Sequence, residues 1–152
     1  MKKLILPLLA LLLACLALTA AAESAEAPET LLERACRIAE DSDGLIVMTE
    51  DDLYDLIGIP PEDWTDFAYL ADYDALSGRE LIVVRAVDEE AADRVAALLT
   101  AYLEGRMRVT RNYLPEAYKS LSEAQVLREG LLTVLSIAAP NPEEAGLLLQ
   151  EE

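Results

Sequence analysis

With 152 residues, 29 acidic side chains against 12 basic ones and a net charge of −17, the chain is too acidic to favour nucleic acid or an anionic membrane surface as a partner. An apolar content of 53% argues against wholesale disorder. There is no histidine and there are only two cysteines, which removes the commonest general base and metal ligand and leaves no thiolate zinc site.

Residues 1–22, MKKLILPLLALLLACLALTAAA, place Lys2 and Lys3 before an unbroken apolar run that ends in Ala20-Ala21-Ala22. This is the pattern of a signal peptide, so the chain is expected to be exported, either secreted or attached to the outer face of the cytoplasmic membrane. Three readings of the leader stay open. Cleavage near Ala22 would free the remainder. Leu12-Leu13-Ala14-Cys15 resembles the lipobox of bacterial lipoproteins and makes Cys15 a candidate for lipidation, although the apolar run continues past it through Leu16, Ala17 and Leu18. Residues 4–22 are also about long enough to span a bilayer uncleaved, for which ~20 apolar residues suffice. In the last two readings the membrane is met only through the N-terminus. Residues 23–29, ESAEAPE, read as a short flexible tether, and 30–152 as a single domain.

The spacing predicts an amphipathic helix over 30–41, with Leu31, Leu32, Ala35, Cys36 and Ile38 on its dry side and Glu33, Arg34, Arg37 and Glu40 on its wet side. Cys36 has no partner once Cys15 is removed or lipidated, and it reads as a small buried residue in a domain held by its core alone. Asp41-Ser42-Asp43-Gly44 ends the helix. A calcium loop fails there, because setting Gly44 at the loop's glycine puts Ala39 where the first ligand belongs. Residues 45–48 are a short strand or an extended connector. Thr49 with Asp52 caps a second short helix over 50–57, stopped by Gly58 before Pro60-Pro61. Strands follow at 64–71 and 80–86 and pair as a hairpin around Ser77-Gly78.

Asp88 caps a long helix running to about residue 112, whose apolar stripe is Ala91, Val95, Leu98, Leu99, Tyr102 and Val109. Asp88, Glu89 and Glu90 suit its positive end and Arg106, Arg108 and Arg111 its negative end. Gly105 falls inside the stripe at a cost of about 1 kcal/mol against alanine, which close packing on the sheet would explain. Arg106 at the margin is expected to lay its stem over apolar surface with its head in water. Pro115 opens a helical turn or two through 121. Strands at 124–128 and 131–138, joined through Glu129-Gly130, form a second hairpin, and Pro142 opens a last helix to 150.

The order implies an α+β fold: a four-stranded antiparallel sheet made of two hairpins, packed by the long helix, with N-terminal helices and a short C-terminal helix. The two ββα units hint at an internal pseudo-repeat. Both strong strands are apolar on both faces, with Ile82 and Val84 opposing Leu81 and Val83, and Leu131, Leu135 and Ile137 opposing Leu132 and Val134. Either the N-terminal helices cover the second face or it is a docking surface.

From residue 51 to about 145 the chain resembles the bacterial exported proteins of domain-of-unknown-function family 4358. The resemblance rests on Leu56-Ile57-Gly58-Ile59 before a Pro/Asp/Glu turn, the strand Glu80-Leu81-Ile82-Val83-Val84, the acid-capped helix, the segment Tyr113-Leu114-Pro115-Glu116-Ala117-Tyr118, and Gly130 between two late strands. It implies a small secreted or lipid-anchored domain and adds no reaction. Gly78-Arg79 departs from the small residue and aspartate usual before the glutamate, and Leu131-Leu132 from the aromatic usual after the glycine.

No catalytic, cofactor-binding or metal residue is assigned, since carboxylate pairs abound in a chain this acidic and none stands out. The preferred reading is a non-catalytic envelope or extracellular module that binds an envelope protein or peptide. Its candidate partner surface is Trp64, Phe67, Tyr69, Tyr73, Tyr113, Pro115 and Tyr118, although aromatic residues in strands usually belong to a core. The rival is a hydrolase or glycan binder of the cell wall using Glu80 or Asp66 beside aromatic stacking surfaces.

Overall fold

The computed structural model describes residues 29–39, 44–73, 78–138 and 140–150. The leader with Cys15, residues 23–28 of the expected tether, the Asp41-Ser42-Asp43 segment and residues 74–77 before Gly78 lie outside the described residues. Helix α1 (Leu31–Ile38) starts at Thr30, whose hydroxyl accepts the Glu33 N–H while the Glu33 carboxylate accepts the Thr30 N–H. Strand β1 (Leu45–Val47) follows. Thr49 and Asp52 make the same reciprocal cap for α2 (Glu50–Asp52), which widens into a π turn at Leu53–Ile57 and stops at Gly58 with φ +87°. A 3-10 turn (Pro61–Asp63) leads into β2 (Trp64–Asp72) and β3 (Glu80–Ala86). Asp88 accepts the Ala91 N–H at 2.8 Å to begin α3 (Glu89–Thr110). Helix α4 (Pro115–Glu123), β4 (Gln125–Glu129), β5 (Leu132–Ile137) and α5 (Pro142–Gly146), extended by a 3-10 turn at Leu147–Leu149, complete the chain.

The sheet is antiparallel throughout in the order β1-β2-β3-β5-β4. It therefore has five strands, not four. The extra one is β1, where Leu45, Ile46 and Val47 pair with Asp72, Ala71 and Leu70. An extended connector running beside a strand edge has unpaired backbone groups to satisfy, and pairing with β2 satisfies half of them.

Two-sided apolar strands are explained by covers on both faces. On one face Tyr69, Ala71, Ile82, Val84, Leu135 and Ile137 pack against Val95, Leu99 and Leu103 of α3, Leu121 of α4, and Leu53 and Ile57 beside α2. On the other, Ala68, Leu70, Leu81, Val83, Leu132 and Val134 pack against Leu31 and Ala35 of α1 and against Ala145 and Leu148 from the C-terminal segment. Only the first of the two N-terminal helices covers the second face, and the C-terminal helix joins it there. The two ββα units consequently place their helices on opposite faces, which a two-fold repeat about an axis through the sheet would not do.

Helix α1 is turned differently from its apolar pattern. Cys36 is exposed, whereas Arg34 is buried and donates from Nη2 to the carbonyl oxygens of Leu147 at 3.1 Å and Gln150 at 2.7 Å. A guanidinium can be buried where carbonyls at the end of a helical segment receive it, and that turn of the helix carries Cys36 to solvent. A second tie is the fork between Arg94 and the buried Asp63, with Nη2 to Oδ1 at 2.6 Å and Nε to Oδ2 at 3.1 Å, which holds the 3-10 turn against α3.

Thr133 Oγ1, buried on β5, has no hydrogen-bond partner among the described residues. Thr133→Val keeps the shape and removes the unmet hydroxyl, so it should raise stability by about 1 kcal/mol, read as a higher urea midpoint at unchanged slope. The Arg94 fork holds the Asp63 carboxyl below the usual carboxylate range, with burial opposing it. A group lowered in this way stabilises the fold above its unfolded pKa and ceases to as pH falls through its folded one. The stability difference between the parent chain and Asp63→Asn should therefore be full near pH 7 and shrink below about pH 4. Equal differences at about pH 3 and pH 7 would contradict it.

Candidate functional site

On the side of α3 that faces the start of β3, the side chains beneath the helix are polar. Tyr102, Arg106 and Thr110 lie four residues apart on one side of α3, facing Tyr69 and Ala71 of β2 and Glu80 at the start of β3. The Tyr102 hydroxyl donates to Glu80 Oε2 at 2.8 Å, and Arg106 Nη1 pairs with Glu80 Oε1 and approaches the Tyr102 oxygen at 3.2 Å. The guanidinium carbon also lies 5.8 Å from the Tyr102 ring centroid. Glu80 is 6% exposed, so this is a buried charge held by a paired cation and a neutral donor. Beside it Arg79 donates to Asp72 at 2.7 Å and 2.9 Å.

Above this network opens a groove of about 600 Å³, walled by Met48, Leu56, Ala71, Val109 and Leu114, with Glu80, Tyr102 and Arg106 at its polar base. The π turn keeps Leu53 and Ile57 in the core and turns Leu56 towards the groove. Val109, assigned to the core stripe by its spacing, is 70% exposed because it stands on the opposite wall. Gly105 also lines the groove, and a Cβ built on it meets nothing within 4 Å. Close packing on the sheet is thus not its reason. Nor does Arg106 hold its head in water, since Glu80 receives it in the interior.

Burial pushes the Tyr102 hydroxyl well above the ordinary tyrosine range, with the neighbouring Tyr69 adding to it. Tyr69 is raised too, again by burial, with the neighbouring Tyr102 hydroxyl and the charge of Arg106 opposing it. Burial lowers Arg106. Tyrosines raised in this way stay protonated at neutral pH, so they donate hydrogen bonds and accept no proton. The groove's two carboxylates, Glu80 and Asp72, each carry an arginine partner, which suits recognition better than proton transfer.

The sequence-selected residues scatter. Trp64 and Phe67 meet edge to face at 4.7 Å between centroids and pack against the core under α3, and Tyr69 is buried beneath the groove. Tyr73 and Tyr113 are 87% and 81% exposed, and Pro115 is exposed at the start of α4. Tyr118, half-buried, lines a small cleft with Met107, Arg108 and Arg111. Asp66 accepts the Leu31 N–H at 3.3 Å at the start of α1, on the face opposite Glu80, so these two carboxylates form no pair. The spacing reads Tyr102 only as part of a stripe and Gly105 as an interruption of it, and assigns neither to a site. Their signal was the interruption of that stripe by a glycine and an arginine within one turn.

Among the described residues no three histidine, cysteine, aspartate or glutamate side chains converge as metal ligands, and no helix is long and apolar enough to cross a membrane. Removing one member of the buried pair strands the other charge, so Glu80→Ala should destabilise the domain by about 3–5 kcal/mol. The double variant Glu80→Leu with Arg106→Met should lose less than Glu80→Ala alone in the same denaturation experiment.

The sequence model of the family described as Domain of unknown function (DUF4358) matches residues 39–138. No curated protein and no solved structure matches the chain.

Proposed function

The chain belongs to the DUF4358 family, and we propose that it is an exported, non-catalytic binding module whose recognition site is the groove beneath the end of α3. Export rests on the leader, with its basic start, apolar run and terminal alanines. The binding reading rests on one observation above all, Gly105. A glycine inside a helix costs about 1 kcal/mol against alanine. Here no neighbour requires it, and what its missing side chain leaves behind is open groove.

The rest of the groove is consistent with holding a ligand rather than transforming it. Its walls are apolar, its base carries protonated hydroxyls and a guanidinium, and its carboxylates are neutralised by arginines. Such a site suits a molecule or peptide side chain with an apolar body and a hydrogen-bonding end. A cell-wall hydrolase built on Glu80 or Asp66 has less in its favour, because Arg106 and Tyr102 hold Glu80 and the Leu31 N–H occupies Asp66.

Two substitutions at one position test the reading. Gly105→Ala should stabilise the domain by about 1 kcal/mol through helix propensity, whereas Gly105→Phe should fill the groove and leave the fold intact. With anilinonaphthalene sulfonate as an apolar probe, the parent chain should give blue-shifted fluorescence that Gly105→Phe abolishes. Equal fluorescence from the parent and from Gly105→Phe would overturn the groove as the binding site.

A further inference from the structure

We propose that the outer edge of β1 receives an extended, positively charged segment of a partner polypeptide, which adds to the sheet as a sixth strand beside the groove. The phase of the ladder shows what that edge offers. Met48 N–H donates to the Tyr69 carbonyl at 2.8 Å, and Ile46 lies opposite Ala71 two residues earlier. Hydrogen-bonded and non-bonded pairs alternate in an antiparallel ladder, so Ile46 and Met48 turn their peptide groups inward and Leu45 and Val47 turn theirs outward. Among the described residues no backbone group pairs with the outward N–H or C=O of Val47.

The two edges of the sheet are treated differently. The outer strand β4 carries Gln125, Arg128 and Glu129, and Arg128 is tied back to Glu89 and Asp93 on α3. Charges of this kind discourage edge-to-edge pairing. Strand β1 is Leu45-Ile46-Val47 with no charge, and Ile46 and Val47 are 45% and 54% exposed. Exposed Leu56 forms a wall of the groove together with Met48, the residue that follows β1. An open edge joined to apolar pockets is the surface that strand addition uses, with main-chain bonds supplying affinity and alternate side chains supplying choice.

Charge selects the occupant. Glu50, Asp51 and Glu62 line a cleft of about 390 Å³ with Tyr54, Pro60 and Pro61, beginning three residues after β1. A lysine or arginine on an added strand would meet carboxylates and the Tyr54 ring there. A second copy of a chain with net charge −17 would bring the same carboxylates against each other, which disfavours self-pairing at this edge. The proposal rests on the reading of this side of the sheet as the binding side, and it adds the class of partner.

Val47→Pro tests it selectively, because the N–H it removes points away from the sheet. The probe is a fluorescein-labelled peptide of alternating lysine and valine, followed by anisotropy, with a proline-interrupted peptide of equal charge and an alternating glutamate and valine peptide as controls. The parent chain should bind the first and neither control, the amides of Leu45 and Val47 should gain protection from hydrogen exchange, and Val47→Pro should weaken binding roughly tenfold. A second variant, Val47→Lys, should also weaken it and checks that proline has not simply unfolded the edge. Unchanged binding by both folded variants, equal binding of the proline-interrupted peptide, or a dimer in sedimentation that Val47→Pro dissolves would each overturn the proposal. Gly105→Phe separates this site from the groove. Peptide binding that survives in Gly105→Phe and falls in Val47→Pro supports the edge whether or not the groove takes the apolar probe.

Discussion

Strand β3 has a neighbour on each side and apolar residues on each face, so its centre, Leu81 to Val84, cannot be left to water. Ile82 and Val84 look towards α3 and α4, and Leu81 and Val83 towards α1 and the C-terminal segment. Each face is a surface that must be covered for the other to persist, since the strand supporting both is the same. The covers are made from different parts of the chain. The α3 side is built mainly from the helices that follow β3, with Leu53 and Ile57 added from before β2, while the other side needs the first and last helices to meet. Arg34 makes that meeting specific, because its guanidinium is satisfied only when the final carbonyls arrive.

The groove arises where this cover ends. On the side of α3 that faces the start of β3, the inward side chains are Tyr102, Arg106 and Thr110, with Tyr102 and Arg106 held on Glu80. Burying Glu80 at the first position of β3 removes a carboxylate from water, and the fold offsets this with one guanidinium and one hydroxyl. The outcome is a polar base that is fixed in place by its own pairing, under walls that are mostly carbon. Preorganised groups of this kind need little reorganisation when a ligand arrives.

Much of the fold was legible because its signals are local. Thr49, Asp88, Pro115 and Pro142 mark helix starts by side-chain chemistry alone, and 80–86 reads as a strand from its β-branched run. Strand β1 was ambiguous because three residues carry no period, and its assignment depends on β2 presenting an edge. Cys36 was misplaced for a similar reason: the burial of Arg34 is decided by carbonyls from the far end of the chain. At the site, Glu80 and Arg106 each stood out singly, but their pairing depends on how the helix crosses the strand. Gly105 was visible as an anomaly, and only the open space beside it shows what the anomaly does.

The bond from Arg34 to the Gln150 carbonyl brings the two ends of the described chain together on the face away from the groove. Orientation follows from that placement. A support that gripped the domain just before Thr30 would stand behind the sheet, and the groove would point outward from it like a cup mounted by its base. The same holds for a fusion made after Gln150, so a reporter or a matrix can be attached at either end without standing in front of the groove.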